Sequence, residues 1–184
     1  MIELKEKKKI FAIFLFVLSI LVFLIFLNIS LKKSKKVYWY EVDGSYVYLY
    51  HNLTELKEVP FNLTINLAYW NIFRKYDKVY FIIDPNLKGN FTLGFIQIQA
   101  EFLYPLEEYG MEIIEACLYN TTECYKKKVP ILKCKEVKDG LCIEYREGNL
   151  GIFQINKNYI IISGKNENIL KATDLLIAKF YGLS

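Results

Sequence analysis

The chain has a single histidine, His51, and only two arginines, and it lacks the short motifs of the common enzyme classes. No G-x-G-x-x-G, G-x-S-x-G or H-E-x-x-H pattern is present, which argues against dinucleotide-binding, nucleophile-elbow and zinc-protease sites. Ser163-Gly164-Lys165 resembles the end of a phosphate loop, but the earlier glycine of that motif is missing. We therefore expect no cofactor and no metal site.

A strong basic charge is also missing from most of the chain. The formal net charge is +4, but eight of the 22 lysines lie within residues 1–36. From Val37 onward the sequence has 14 lysines, 2 arginines and 18 acidic residues, which gives a net charge of −2. Nucleic-acid-binding domains carry clustered positive charge, so we expect no nucleic-acid partner.

Charge is absent altogether from the 22 residues Ile10 to Leu31. A helix of this length spans roughly 33 Å, enough to cross the ~30 Å hydrocarbon core of a bilayer. The sequence thus predicts a cytoplasmic basic tail (1–9), a transmembrane helix (10–31), a basic juxtamembrane linker (32–36) and a domain (37–184). The last part has the size of one domain with its own core.

The features of the predicted span indicate an uncleaved signal anchor. A secretory signal has a shorter apolar core followed by a small-residue cleavage site, and neither is present here. A pilin-type leader is the minor alternative, because Lys9 runs directly into Ile10 and Phe11 without the small residue that processing requires. Four lysines precede the span and four follow it, so the positive-inside rule alone leaves the orientation open.

N-glycosylation sequons favour an outside location for residues 37–184. Thirteen asparagines and 12 serines plus threonines predict about one N-x-[ST] sequon by chance, whereas five occur. The turn preference of Asn and Thr explains part of this excess. Asn28 lies at the predicted membrane. We expect glycosylation among the other four sites, which are Asn52, Asn62, Asn90 and Asn120.

Four cysteines lie within 26 residues. On an exported domain, an even number in one cluster predicts two disulfides. Zinc is the weaker alternative, because the C-x6-C and C-x7-C spacings contain no C-x2-C pair. Local turns favour Cys117–Cys124 and Cys134–Cys142. The nested pairing, Cys117–Cys142 with Cys124–Cys134, remains the alternative.

The pattern of apolar residues predicts an α/β (α+β) domain with a mixed sheet that contains a βαβ unit. Asp43-Gly44 predicts a type I′ hairpin turn between strands 37–42 and 45–50. Further strands are predicted at 78–83, 111–117, 141–145, 150–155 and 159–163. Helices are predicted at 67–76, capped by Asn66, at 92–110 with a kink or break at Pro105, and at 167–181, capped by Asn166 and ended by Gly182.

Two groups of residues are candidate sites. One hairpin face carries Trp39, Tyr46, Tyr48 and Tyr50, an aromatic surface suited to stacking on sugars or to the lipid interface. The favoured alternative is a hairpin packed half-buried on the sheet. Asp84 is the best candidate for a catalytic residue, because ligands bind at the carboxyl ends of parallel strands. The alternative, a turn-bracing role for Asp84, is favoured.

Residues 78–184 carry a family resemblance. The features behind it are Asp84-Pro85 after a strand, the four cysteines, Tyr159–Gly164 and Lys171–Leu176. This part resembles uncharacterised single-pass, membrane-anchored extracytoplasmic proteins of methanogenic and thermophilic archaea. The resemblance implies the same topology and brings no activity or catalytic residue.

Two classes of function follow from these features. The preferred one is a cell-surface module for binding, adhesion or envelope association, with the lipid bilayer and cell-envelope proteins or glycans as partners. The alternative is an extracytoplasmic hydrolase that uses carboxylates such as Asp84 and Glu112, for example on glycans.

Overall fold

Eight strands and six α-helices, with one π-helical and one 3-10 turn, make up the part of the chain that the computed structural model describes, residues 36–126 and 128–183. The strands are β1 (Tyr38–Val42), β2 (Ser45–Leu49), β3 (Phe61–Asn62), β4 (Lys78–Ile83), β5 (Glu112–Cys117), β6 (Leu141–Glu147), β7 (Gly151–Asn156) and β8 (Tyr159–Gly164). The helices are α1 (Leu53–Leu56), α2 (Tyr69–Lys75), α3 (Asn90–Ile98), α4 (Tyr104–Glu108), α5 (Thr122–Lys126) and α6 (Asn168–Phe180).

None of the helices in this part of the chain is long and apolar enough to cross a membrane. The predicted span, residues 10–31, lies outside the described residues.

Six of the strands form one mixed sheet in the order β3-β7-β8-β6-β4-β5. Strands β8, β6, β4 and β5 run parallel, and β7 runs antiparallel to β8. The predicted mixed sheet, with parallel β4 and β5 joined through helices, is confirmed, and the two consecutive strands β7 and β8 form a hairpin within it. Strand β3, which pairs with β7, was not predicted because two residues are too few to produce a pattern.

The sheet has a different cover on each face. In β4, Val79 and Phe81 point into the main core, which includes residues of helices α3 and α6, whereas Ile82 belongs to a second cluster on the opposite face. That second cluster contains Cys134 and Cys142. Because a strand alternates its side chains between two faces, a continuous apolar run such as residues 79–83 requires both faces to be covered.

Strands β1 and β2 form a separate two-stranded hairpin with the predicted register, in which Val42 lies opposite Ser45. Asp43 and Gly44 both have positive φ, as a type I′ turn requires. The expected half-burial of this hairpin is confirmed, because Val47 and Leu49 lie in the main core. The hairpin lies against the helices, because Gln97 of α3 donates a hydrogen bond to the carbonyl of Tyr48 and Asp174 of α6 accepts one from the N–H of Tyr50.

The helix predicted over 92–110 is divided just before Pro105, near the position where a kink or break was expected. A π-helical turn, Gln99–Leu103, separates α3 from α4, and the N–H of Tyr104 bonds the carbonyl of Gln99. Pro105 has no N–H and cannot continue a regular helix. The π turn lies just before Pro105, and π-helical structure occurs mostly as such single turns inside helices.

Three smaller expectations need correction. The apolar residues of the helix predicted over 67–76 indicate that Trp70 and Phe73 are buried, but both are exposed. Asn66 and Asn166 do not cap α2 and α6, because each helix begins at least two residues later. Asn66 accepts a hydrogen bond from Ala68 N–H, and Asn166 adopts a positive φ in the turn before α6.

Candidate functional site

The carboxyl ends of β6, β4 and β5 lie side by side at one edge of the sheet. From β4 the chain runs through α3 and α4 to β5 on one side, whereas β6 pairs with β4 on the other side. The end of β4 is therefore a switch point of the strand order, the place where open α/β sheets bind ligands. Asp84 follows β4 directly.

A pocket of about 190 Å³, the inner pocket, opens on the helix-covered side of this edge. Aromatic walls come from Phe91 and Phe95 of α3 and from Tyr145 of β6. Burial raises the pKa of the Tyr145 phenol, which stays neutral at physiological pH and donates a hydrogen bond to the carbonyl of Phe91 at 3.3 Å. The polar groups in the lining are Asp84, Thr92 and Glu115.

Asp84 takes part in the turn and also lines the pocket. Its carboxylate accepts hydrogen bonds from the Asn86 N–H at 2.9 Å and from Asn86 Nδ2 at 3.2 Å, which braces the bend after β4. The turn-bracing role is thus present. Because Asp84 lines the inner pocket as well, a role in binding or chemistry stays a prediction.

Glu115, which the sequence pattern did not single out, is the carboxylate that joins Asp84 in the inner pocket. Its Oε1 accepts a hydrogen bond from Gln99 Nε2 at 2.7 Å. Glu112 does not converge with Asp84: it lies at the opposite end of β5, opposite Lys78, and pairs with that lysine at 2.9 Å. The predicted Asp84–Glu112 pair is therefore wrong.

A second cavity of about 420 Å³, the outer groove, meets the inner pocket at Asp84. Its lining is mostly polar and includes Asp84, Tyr119, Arg146, Glu147, Asn149 and Ser163. Ser163 of β8 and Arg146 of β6 are register partners, and the Ser163 hydroxyl donates to the carbonyl of Asn149 at 2.5 Å. This bond holds the turn between β6 and β7 in place as one wall of the groove.

Arg146 is held by the buried carboxylate of Glu144, which Tyr159 also contacts. Its Nη1 lies 2.9 Å from Oε1 of Glu144, whose side chain is only 6% exposed, and the Tyr159 hydroxyl donates to Glu144 Oε2 at 2.5 Å. Burial, with Glu144 adjacent, raises the pKa of Tyr159, so the phenol remains a donor. A buried carboxylate with two such partners fixes the direction of the guanidinium.

A polar cluster of His51, Gln97 and Asp174 lies beneath the hairpin. The Asp174 carboxylate is fully buried and accepts hydrogen bonds from His51 Nδ1 at 2.6 Å and from Gln97 Nε2 at 2.8 Å. His51, the single histidine of the sequence, is thus hydrogen-bonded to a buried carboxylate from the loop after β2. The sequence carries one signal for the cluster, because Asp174 interrupts the apolar stripe of the last helix.

Glu101 lies in the π turn near this cluster. Burial raises its pKa to about 7, and a hydrogen bond from the backbone of Tyr48 opposes the shift. Burial also raises the pKa of Tyr48 to about 12, with Tyr50, Glu101 and Asp174 adding to the effect.

The aromatic residues of the predicted hairpin face lie next to one another. Trp39 and Tyr46 are 64% and 67% exposed, whereas Tyr48 and Tyr50 are half-buried. Ring centroids of Trp39 and Tyr48 are 5.7 Å apart, and those of Tyr48 and Tyr50 are 6.0 Å apart. The face is therefore contiguous, and a ligand for it stays a prediction.

The four sequon asparagines differ in accessibility. Asn62 and Asn120 are exposed, whereas Asn52 and Asn90 are half-buried at the starts of α1 and α3. Asn52 Nδ2, the atom that would carry a glycan, donates to Glu55 Oε1 at 2.5 Å. Asn62 and Asn120 are thus the sites that fit a glycan best.

Two disulfides are present, Cys117–Cys124 and Cys134–Cys142, which is the pairing that local turns favoured. Cys117 and Cys124 form part of the inner-pocket wall. Within the described residues, no group of three or more His, Cys, Asp or Glu side chains is placed to hold a metal ion.

Comparison with known protein families, with curated proteins and with solved structures found no match. Function therefore has to be inferred from the residues of these sites.

Proposed function

We propose that this protein is a membrane-anchored cell-surface binding module, with residues 37–184 outside the cell and a ligand site at the carboxyl edge of the sheet. The observation that carries the proposal is the meeting of the inner pocket and the outer groove at Asp84, beside the switch point of the strand order. Concave sites with a few placed polar groups are typical of ligand binding.

The surface location rests on three independent features. The charge-free stretch Ile10–Leu31 fits a membrane span, the sequon excess fits glycosylation, and two disulfides fit an oxidising compartment. The resemblance to anchored archaeal proteins supports the same topology. Binding, adhesion or an accessory role with envelope proteins or glycans would all suit such a domain.

Protease treatment of intact cells tests the topology. We expect the protease to degrade residues 37–184, and mass spectrometry to find a glycan on Asn62 or Asn120. Protection of the domain until the cells are lysed would reject the surface location.

A carboxylate-dependent hydrolase is the second candidate, favoured by the convergence of Asp84 and Glu115 in one pocket. Glycoside hydrolysis needs two carboxylates across a cleft. Nitrophenyl glycosides provide the test, with Asp84→Asn and Glu115→Gln as paired variants. Turnover that both substitutions abolish, and that Glu112→Gln leaves intact, would favour the enzyme; absence of turnover by the unmodified protein would reject it.

A further inference from the structure

We infer that the outer groove is a saccharide subsite that takes a neutral sugar, with Arg146 as its main donor and Tyr119 as its stacking surface. This inference rests on the proposed binding function and names the ligand class for the outer groove. It does not involve the aromatic hairpin face.

The size of the outer groove favours it over the inner pocket as the principal ligand site. Small-molecule sites have volumes of about 300–1,000 Å³. The outer groove, at about 420 Å³, falls within this range, whereas the inner pocket, at about 190 Å³, does not.

The lining chemistry of the groove fits hydroxyl groups, each of which both donates and accepts a hydrogen bond. Arg146 supplies donors, whereas Asp84 and Glu147 supply acceptors. Asn149 supplies both kinds of atom, and the half-exposed Tyr119 supplies an apolar ring for the C–H face of a sugar.

The charges in the groove select against acidic sugars. Asp84 and Glu147 contribute two negative charges to the lining, and the one positive charge, on Arg146, is already paired with Glu144. A carboxylate on the ligand would therefore face net repulsion. A neutral hexose or disaccharide meets donors and acceptors without that penalty.

The groove is organised before any ligand arrives. The Tyr159–Glu144–Arg146 chain of hydrogen bonds fixes the guanidinium, and the Ser163–Asn149 bond fixes the wall formed by the turn between β6 and β7. Such support from buried partners reduces the ordering that binding would otherwise require. Tyr159 is thus a positioning residue that acts through Arg146.

One sugar source lies within the chain itself, because Asn120, a sequon residue, follows Tyr119 of the groove. The ligand is therefore either the chain's own Asn120 glycan or a glycan from another molecule. Production of the full-length protein with and without N-glycosylation separates these sources.

Calorimetry and saturation-transfer NMR on the full-length protein in detergent test the inference, with glucose, N-acetylglucosamine, maltose and glucuronate as probes. We expect the unglycosylated protein to bind at least one neutral sugar and to bind glucuronate at least tenfold more weakly. Binding by the glycosylated form as well indicates an external glycan, whereas its loss on glycosylation, with recovery in Asn120→Gln, indicates the chain's own glycan.

Variants locate the sugar. Arg146→Ala and Tyr119→Ala should each weaken binding about tenfold, whereas Tyr125→Ala, which removes an 81% exposed ring outside both cavities, should not. Tyr159→Phe should weaken binding far less in the Arg146→Ala background than in the unmodified protein, which a purely structural role would not produce. Tyr119→Ala remains informative if Arg146→Ala fails to fold.

Two outcomes would overturn the inference. One concerns the location of the site, and the other concerns the ligand class. Sugar binding that Trp39→Ala abolishes but Tyr119→Ala does not would move the site to the hairpin. No binding of any neutral sugar would overturn the saccharide assignment, and the proposed binding function would survive only if another ligand shows Asp84-dependent binding.

Discussion

The Nδ1 atom of His51 lies 2.6 Å from Oδ2 of Asp174, although 123 positions separate the two residues in the chain. The same carboxylate accepts the N–H groups of Tyr50 at 3.1 Å and of His51 at 2.9 Å. Asp174 is completely buried, so its charge depends on these donors for stabilisation. One side chain of α6 thereby fastens the end of the hairpin to the helical layer.

Replacement of Asp174 by Ala should lower the free energy of unfolding by about 3 kcal/mol or more, because several buried donors lose their acceptor. Urea unfolding followed by circular dichroism measures this change. Asp77→Ala, at an exposed position, is the matched control and should change stability by less than about 0.5 kcal/mol. Equal effects of the two substitutions would contradict the fastening role.

The sequence was informative where neighbouring residues determine the structure. Strand β4 was predicted with its observed bounds because an apolar, β-rich run ends at Asp84-Pro85. The hairpin register followed from Asp43-Gly44 for the same local reason. Both features depend on a few adjacent residues and need no knowledge of the tertiary fold.

The candidate sites were less predictable because they are assembled across the sheet. Asp84 was found from its position after a strand, but Glu115 joins it only through the pairing of β4 with β5. Arg146 and Ser163 meet through the register of β6 and β8. The pairing register of β6 and β8 cannot be deduced from the residues next to Arg146 or Ser163 in the sequence. The outer groove was therefore not predicted.

Gly94 of α3 provides a test of helix packing. A Cβ atom at this position would meet the Tyr145 hydroxyl and lie 2.9 Å from Thr173 Oγ1 of α6. Alanine is the better helix former by about 1 kcal/mol, yet we expect Gly94→Ala to destabilise the protein by about 1–3 kcal/mol through overpacking. Thermal unfolding measures the effect, and Ile96→Ala, at an exposed position of the same helix, is the control. A stabilised Gly94→Ala protein would show that α3 moves away from α6 at little cost.

Glu101 should make stability depend on pH. Its folded-state pKa of about 7 lies above the ordinary value of 4.5, so between these values the folded chain keeps a proton that the unfolded chain loses. Stability is therefore fully present below about pH 4.5, falls as the pH rises through 7, and levels off above it. Glu101→Gln should flatten this part of the profile and be more stable than the unmodified protein at pH 8.

Melting temperatures from pH 4 to 8 test this expectation. Glu107→Gln, at an exposed position of α4, is the control and should preserve the slope of the unmodified protein. If the melting temperatures of Glu101→Gln and of the unmodified protein change with pH in the same way, burial does not raise the pKa of Glu101.

Removal of one disulfide should lower the free energy of unfolding more than removal of the other. They close loops of similar length, with sequence separations of 7 and 8, so the chain-entropy contribution is about 2–3 kcal/mol for each. Cys134 and Cys142 also pack with Ile82 in the second core cluster. Replacement of Cys134 and Cys142 by Ala should therefore lower stability more than the same replacement of Cys117 and Cys124, because packing is lost as well as the crosslink.

Urea unfolding of the two double variants compares these losses, and non-reducing peptide mapping of the unmodified protein checks the pairing itself. We expect linked peptides that contain Cys117 with Cys124 and Cys134 with Cys142. A peptide that links Cys117 to Cys142 would establish the nested arrangement, which would tie β5 directly to β6. In that case the two double variants would each leave a pair of unmatched thiols, and their relative stabilities would no longer report on the second core cluster.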